Sequence, residues 1–233
     1  MSYETKVKEA IGYCLKQNGL KGDKNEKVIV MYSGGMDSVS LLWNLLEHTE
    51  HDVHVHSIHL HNKEGRHKAE AQAILNTIQY MKDNQRPFEF SSSVYSYMAK
   101  GCGGRDMALY LFQASRVAAG EGRTSAAVYT GDYNMSKVES AEAYGILSAM
   151  STGKRFRPVW ATPFDNMTST PVERSKGIYM SMPEPLREMY WSCRKPTEVG
   201  EGFVTCGKCH ACKRQGNRFH KAFGLVIDAP WPY

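Results

Sequence analysis

Hydrophobic and polar positions along this chain form blocks in which a short apolar run is followed by apolar residues at helical spacing. The first block has the run Val28–Tyr32, and helical spacing begins at Val39. Four later blocks have their short runs at 51–61, 87–90, 125–132 and 156–160. Alternating strands and helices pack as parallel sheets through crossover helices. The pattern therefore predicts an α/β fold with a five-stranded, mostly parallel sheet and helices on both faces.

Two further helices are predicted outside the repeating blocks. Residues 3–18 carry Val7, Ala10, Ile11 and Cys14 at helical spacing, which indicates a packing helix before the first strand. The run 170–173 has a threonine N-cap, a proline at the first helical position and a glutamate placed for a capping box, and the helix is expected to end near 179.

The junction between the first strand and its helix reads Ser33-Gly34-Gly35-Met36-Asp37-Ser38. Two glycines permit backbone angles and close approaches that allow successive amides to face an anion near a helix N-terminus. The lysine of the common nucleotide triphosphatase loop is missing, so this is a different kind of phosphate loop. The alternative is a simple turn in which Asp37 satisfies the helix dipole.

Three other places combine glycine or charged residues beyond a predicted strand end or before a helix. They are Arg66 with His67, Gly104 with Arg105, and Gly131 with Asp132. Ligands bind at the carboxyl edge of an open parallel sheet, so these residues are candidates for ligand contacts. The alternatives are a solvated helix start at 66–67 and a flexible loop capped by Asp106.

Seven of the nine histidines lie between positions 48 and 67, which invites a metal-site interpretation. However, His54 and His56 alternate with valines as in a half-exposed strand, and no carboxylate is spaced to complete a ligand set. The pattern favours a strand over a metal site.

Four of the six cysteines crowd the end of the chain, with twelve residues between the first two and two residues between each later pair. They are Cys193, Cys206, Cys209 and Cys212. In a cytosolic chain this spacing indicates metal binding rather than disulfides. Four thiolates form a closed structural zinc site, and an iron-sulfur cluster is the competing interpretation. We expect residues 1–190 to form the α/β domain, with its N-terminal helix within 1–20, and 191–233 to form the zinc-binding segment.

Composition narrows the classes of function. The net charge is +5, and the basic residues are spread along the chain, so an anionic small substrate is expected rather than nucleic acid. No apolar run is long enough to span a membrane, and the N-terminus lacks the pattern of a secretory signal. We therefore expect a cytoplasmic protein with no membrane partner.

A phosphate loop near the N-terminus together with the C-terminal cysteine pattern resembles the 7-cyano-7-deazaguanine synthase family of the N-type ATP pyrophosphatase (PP-loop) superfamily. The matches are Ser33–Ser38, Gly65–His67, Gly104–Arg105, Thr130–Gly131, Thr162–Pro163 and the cysteine segment from Ser192. The resemblance implies a PP-loop/HUP-like fold and a homodimeric C–N ligase of queuosine biosynthesis. Such an enzyme converts 7-carboxy-7-deazaguanine and ammonia to 7-cyano-7-deazaguanine with ATP and Mg²⁺, through an adenylated carboxylate and an amide, and it carries structural Zn²⁺.

The resemblance also implies roles for individual residues. The ATP-binding set is Tyr32, Ser33, Gly34, Gly35, Met36, Asp37, Ser38, His67, Gly104 and Gly131. Asp37 is expected in the magnesium environment, and Arg66 and Arg105 at phosphate or carboxylate groups, as the catalytic set. Arg105 and Asp132 are expected to bind the deazaguanine.

The chain departs from the family pattern at several positions. Gly131 is followed by Asp-Tyr-Asn-Met rather than by an acidic, aromatic and glycine-rich loop, Asp106 replaces the usual asparagine, and the gap after Cys193 is longer. The alternatives are a related PP-loop enzyme that stops at the amide or modifies another acceptor, including tRNA by thiolation, and a non-catalytic ATP-binding adaptor.

Overall fold

The computed structural model describes residues 2–62, 64–96, 106–120, 126–130, 137–151, 159–167, 170–200, 202–215 and 222–223. Its centre is a sheet of five parallel strands in the order β3-β2-β1-β4-β5. The strands are β1 (Lys27–Tyr32), β2 (Asp52–His61), β3 (Glu89–Ser96), β4 (Ala126–Tyr129) and β5 (Val159–Ala161). The predicted five-stranded α/β fold is confirmed, and its first strand occupies the middle of the sheet.

The helices connect the strands and flank the sheet. They are α1 (Tyr3–Gln17), α2 (Met36–His48), α3 (His67–Asn84), α4 (Asp106–Gly120), α5 (Lys137–Ser151), α6 (Pro171–Met180), α7 (Glu184–Met189) and α8 (His210–Gln215). The predicted capping box at the start of α6 is present, with Thr170 and Glu173 bonded reciprocally. Helix α7 was not predicted, because its six residues are too few to show a helical period.

Successive residues of β1 point to opposite faces of the sheet, and each face has its own core. Val28, Val30 and Tyr32 pack with residues of α1, α2, α3 and α6. Ile29 and Met31 pack with residues of α4 and α5. Helices therefore cover both faces, as predicted.

Strand β2 differs from the expected half-exposed strand. It lies between β1 and β3, and both of its faces are covered, so that His54 and His56 are only 9% and 3% exposed. Serines of β3 satisfy these rings: His54 Nε2 lies 2.6 Å from Ser91 Oγ, and His56 Nε2 lies 3.0 Å from Ser93 Oγ. Buried imidazoles are tolerated here because hydrogen bonds replace water.

A small antiparallel sheet belongs to the cysteine segment. Its strands are β6 (Thr197–Val199), β7 (Gly202–Val204) and β8 (Ala222–Phe223), in that order. These short strands were not predicted. Within the described ranges, none of the helices has both the length and the apolar character needed to cross a membrane.

Candidate functional site

The phosphate-loop candidate lies at the carboxyl end of the central strand, where β1 passes into α2. Gly34 has φ +69°, and a Cβ atom built on it would lie 2.8 Å from Ile74 Cγ1 and 3.2 Å from Ile74 N. Both the left-handed backbone and the lack of space require glycine at this position. The loop is therefore pressed against α3, and its position is the one at which ligands bind in open α/β sheets.

Two serine side chains close the loop on itself. Ser38 Oγ accepts a bond of 3.2 Å from the amide of Ser33 and donates one of 3.1 Å to the carbonyl of Gly35. Gly35 is the N-cap of α2, and the half-buried Asp37 stands in its first turn. The first amides of a 13-residue helix are thus held at the ligand edge of the sheet, together with a carboxylate.

The chain after α7 contacts the loop and also packs on α3, where Trp191 meets Ala69 and Ala73. The amide of Trp191 donates to the carbonyl of Gly34 at 2.8 Å, and the amide of Met36 donates to Ser192 Oγ at 3.3 Å. No local pattern predicts these contacts, because they join residues about 156 positions apart. The loop and the cysteine segment therefore form one structural unit.

Met36 and Tyr32 are predicted nucleotide contacts whose side chains pack in the apolar core. The Tyr32 side chain extends to α3. Its hydroxyl donates to Thr77 Oγ1 of α3 at 2.6 Å, and burial raises its pKa above the ordinary value. The ring is fully buried. Any role of Tyr32 in nucleotide binding is limited to its backbone.

Arg66 lies at the start of α3 and is buried, with 8% of its surface exposed. Its Nε atom lies 3.0 Å from Glu64 and 3.2 Å from Glu70. Glu64 also pairs with Arg194 of the cysteine segment at 3.2 Å. The alternative of a solvated helix start is therefore wrong for Arg66, and the ion pairs join α3 to the segment that crosses the loop.

His67 is grouped with other histidines rather than with the loop residues. Its ring stacks on His61 with centroids 4.3 Å apart, and the His59 centroid lies 5.3 Å away. Burial, together with the nearby His61, lowers the pKa values of His59 and His67, that of His59 to about 4. The prediction of a strand over 51–61 is confirmed, yet the strand also brings a compact histidine cluster to the ligand edge. Gly104, Arg105, Gly131 and Asp132 lie outside the described residues.

The four cysteines of the C-terminal segment converge as the spacing predicted. Their Sγ atoms all lie within 4.8 Å of one another, with 3.4 Å between Cys209 and Cys212 and 4.0 Å between Cys206 and Cys212. Cys193 is buried on a small apolar cluster with Trp191 and Phe203. None of the five described cysteines forms a disulfide.

Backbone amides surround these sulfurs. The amides of Lys208 and Cys209 donate to Cys206 Sγ at 3.4 and 3.3 Å, and the amide of Arg194 donates to Cys209 Sγ at 3.4 Å. Although burial opposes ionisation, such bonds lower the pKa of Cys209 to about 6. Burial and the neighbouring sulfurs raise the pKa values of Cys193 and Cys212. The pKa values of Cys206 and Cys209 are thus lowered and those of Cys193 and Cys212 are raised, and a bound cation would supply the positive charge that four thiolates require.

Geometry distinguishes the possible occupants of the cysteine group. A tetrahedral zinc ion with Zn–S bonds of about 2.3 Å separates its sulfurs by about 3.8 Å. The separations of 3.4 and 4.0 Å fall on either side of that value. In a four-iron cluster the irons and sulfides stand between the thiolates and push them farther apart. The cysteine group fits a single tetrahedral ion.

No protein-family model and no curated protein matches this sequence. Among solved structures, the chain is similar to the U34-tRNA thiolase NcsA from Methanococcus maripaludis, which was solved with its [4Fe-4S] cluster. The identity is 15%, the TM-score is 0.49, and the match covers 82% of this chain and 66% of that one. The chain thus spans slightly less than two thirds of the thiolase. By its name, the thiolase is the kind of tRNA-modifying enzyme considered as an alternative above. A likeness this distant leaves the reaction of this chain open.

Proposed function

We propose that this chain is an ATP-dependent enzyme that adenylates an acceptor oxygen at the loop Ser33–Ser38. The observation that carries the proposal is the shape of the loop. Gly34 has a left-handed backbone at the end of the central strand, and the amides of α2 begin one residue after the next glycine. Such a turn before a long helix is suited to holding a chain of phosphates.

The present hydrogen bonds of the loop are compatible with phosphate binding. The amides of Met36 and Gly35 donate to serine hydroxyls at 3.3 and 3.4 Å, both longer than the usual N–H···O distance of about 2.9 Å. A phosphate oxygen is a stronger acceptor, because hydrogen bonds to a charged group are shorter and roughly twice as strong. ATP would therefore replace these two weak bonds at little cost.

Two charged residues are assigned roles near the phosphates. Asp37, in the first turn of α2, would hold Mg²⁺ or its water shell, and the ion would neutralise charge on the phosphates. Arg66, whose Nε pairs with Glu64 and Glu70, would contribute its positive charge to binding a phosphate or carboxylate group. Arg105 would complete the catalytic set.

The acceptor we favour is 7-carboxy-7-deazaguanine, on the basis of the order of sequence motifs described above. A carboxylate oxygen attacks the α-phosphorus of ATP and releases pyrophosphate, which gives an acyl adenylate with AMP as leaving group. Ammonia displaces AMP to form the amide. The amide oxygen then attacks the α-phosphorus of a second ATP and releases pyrophosphate, and the adenylated intermediate loses AMP and both protons of its nitrogen to give the nitrile. A tRNA acceptor is the second candidate, as in the reaction named for the thiolase neighbour.

The cysteine group would hold structural Zn²⁺ in this proposal. A closed set of four thiolates leaves no open position for chemistry, and metal binding supplies folding free energy to a short segment. The metal would then hold in place the part of the C-terminal segment that contacts the loop, at Trp191 and Ser192.

The test measures pyrophosphate release from ATP with 7-carboxy-7-deazaguanine and ammonia, with separate tRNA and no-acceptor reactions and mass spectrometry of the products. Asp37→Asn should lower the rate at least about a hundredfold, the scale of losing one charge-stabilising group. Glu4→Gln is the matched control, since Glu4 stands in the first turn of α1. If pyrophosphate is released only in the reaction with tRNA, then tRNA is the acceptor in place of the deazaguanine. Absence of ATP binding by the wild-type chain would overturn the proposal.

A further inference from the structure

Three imidazoles from two elements meet at the carboxyl edge of the sheet. His59 and His61 stand two residues apart on one face of β2, and His67 is the first residue of α3. Strand β2 reaches this position because Tyr32, the last residue of β1, pairs with Ser57, so that the end of β2 projects beyond its neighbour. The sequence pattern could place two of the rings on one face, but only the β2–α3 connection adds the third.

The three rings are close enough to share one ion. Their centroids are separated by 4.6 Å (His59 to His61), 5.3 Å (His59 to His67) and 4.3 Å (His61 to His67). One nitrogen from each ring lies within 4.8 Å of the other two. Tetrahedral zinc with Zn–N bonds of about 2.0–2.1 Å separates its nitrogens by about 3.4 Å. Binding of the ion would draw the nitrogens, which already lie within 4.8 Å of one another, to that separation.

Two ring nitrogens of this group lack the hydrogen bonds that the other histidines of β2 form. His61 Nε2 and His67 Nδ1 are buried and have no hydrogen-bond partner among the residues that the structure describes. By contrast, His54 and His56 on the opposite face are bonded to serines of β3. A buried polar nitrogen without a partner is unfavourable, and ligation to a metal is one way to remove that cost.

We infer that His59, His61 and His67 form a second metal site, separate from the cysteine group. Imidazole ligands without carboxylate or thiolate select a borderline transition metal such as Zn²⁺, and not Mg²⁺ or Ca²⁺. Three protein ligands leave a fourth position for water or an oxygen ligand, which is the arrangement of catalytic rather than structural zinc. The site lies at the ligand edge of the sheet, and it does not depend on the adenylation proposal.

The test counts metal ions in the full chain. Protein saturated with Zn²⁺ and dialysed should contain two zinc ions per chain in the wild type and one in His61→Gln and in His67→Gln. The matched control is His54→Gln, which changes a histidine on the other face of the same strand and should keep two ions. Loss of one of three ligands should weaken the second site more than the roughly 10–100-fold that is typical of outer-shell changes.

Cobalt substitution identifies which site is lost. In both test variants the thiolate-to-cobalt charge-transfer band should persist, which also reports that the chain remains folded, while the weaker absorption of nitrogen-ligated cobalt disappears. A wild-type chain that binds only one zinc ion would overturn the inference. So would either variant if it kept two ions, because the second ion would then be bound elsewhere.

Discussion

The phosphate loop lies between two supports that are built in different ways. On one side α3 contacts Gly34 through Ile74. On the other side the C-terminal segment contacts it through backbone and side-chain hydrogen bonds from Trp191 and to Ser192. The α3 support is part of the large apolar core, whereas the C-terminal support rests on a small cluster beside the cysteines, which includes Ala69 and Ala73 of α3.

This difference separates the part of the structure that is stable without a ligand from the part that needs a bound metal. Helix α3 is held by the burial of residues such as Ile74 and Ile78, which requires no ligand. The C-terminal segment has short strands and buries few apolar side chains, so a bound metal would supply much of its folding free energy. We therefore expect the two sides of the loop to be lost under different conditions.

Removal of the metal from the cysteine group should have the largest effect on stability, and it should destabilise the C-terminal support alone. Cys209→Ser should abolish metal binding at the cysteine group and lower the free energy of unfolding of this segment by on the order of 4 kcal/mol, as losses of a metal site do. The KM for ATP should rise, because the Trp191 amide would no longer hold the Gly34 carbonyl in place. Metal analysis, urea unfolding and far-UV circular dichroism check the result, and the dichroism of the sheet domain should persist.

The matched control is His210→Ala, an exposed residue between two of the cysteines. It should keep the metal content and the stability of the wild type. If Cys209→Ser also kept both, the cysteines would not be ligands and the two supports would not differ in the way described.

Gly34→Ala should damage the α3 support with the next largest effect. A non-glycine residue in the left-handed region costs about 1–2 kcal/mol. The clash of the new Cβ with Ile74 at 2.8 Å adds a cost on the scale of overpacking, for a total of about 3 kcal/mol. Urea unfolding of metal-saturated protein measures the change.

Gly19→Ala separates the two contributions, because Gly19 has φ +67° and no atom within 4 Å of a built Cβ. It should cost about 1 kcal/mol from backbone strain alone. Equal losses in the two variants would mean that the close approach to Ile74 does not stabilise the loop.

Acid should weaken the sheet domain, to which the α3 support belongs, by a smaller amount. Burial, with a lesser effect of His54, lowers the pKa of His56 to about 4, below the value of about 6.5 expected in the unfolded chain. Between these values the unfolded chain binds more protons, so stability is complete above pH 6.5 and is lost as the pH falls towards 4. The slope due to His56 is at most about 1.4 kcal/mol per pH unit.

Urea unfolding at pH 7.5 and 5.5 checks this prediction, and His56→Gln should show a smaller loss on acidification than the wild type. His48, His51 and His59 have pKa values that are also lowered by burial, so part of the acid sensitivity should remain. An unchanged pH dependence in His56→Gln would show that its imidazole titrates normally in the folded chain.

The two supports also differ in how far the sequence predicts them, because some of their features follow from local patterns and others from contacts between distant residues. The strands and the loop at 33–38 were predictable because runs of apolar residues and adjacent glycines are local signals. The cysteine group was also predictable, because three of its ligands lie within seven residues. The crossing of Trp191 over Gly34 was not, since it depends on packing between distant parts of the chain.

Two places in the sheet show how far local patterns reach. Tyr32 lies two and four residues after Val30 and Val28, so its side chain faces the same side of the sheet. The alternation along β1 could therefore have assigned that side chain to the core. The length of β3 could not have been predicted, because it includes Ser91, Ser92 and Ser93, which have little β-propensity. Two of these serines are hydrogen-bonded to histidines of β2, a tertiary effect that the sequence of β3 alone does not contain.

Ser192→Ala should have the smallest effect on the free energy of unfolding, and it should change the KM for ATP. Its bond to the Met36 amide is 3.3 Å long, so its loss should cost at most about 1 kcal/mol. Ser181→Ala is the comparison in the core and should cost more, since Ser181 Oγ lies 2.9 Å from Ser40 Oγ and donates to a carbonyl at 2.8 Å. Urea unfolding of the two variants measures this difference.

The effect of Ser192→Ala on nucleotide binding tests whether the C-terminal support competes with phosphate for the loop. If the Met36 amide exchanges the serine hydroxyl for a phosphate oxygen, removal of the hydroxyl eliminates a competitor, and the KM for ATP should fall by up to about fivefold for 1 kcal/mol. A higher KM would mean that Ser192 itself contacts the nucleotide. The C-terminal segment would then be part of the binding site rather than only its support, and the distinction between the two sides of the loop would no longer hold.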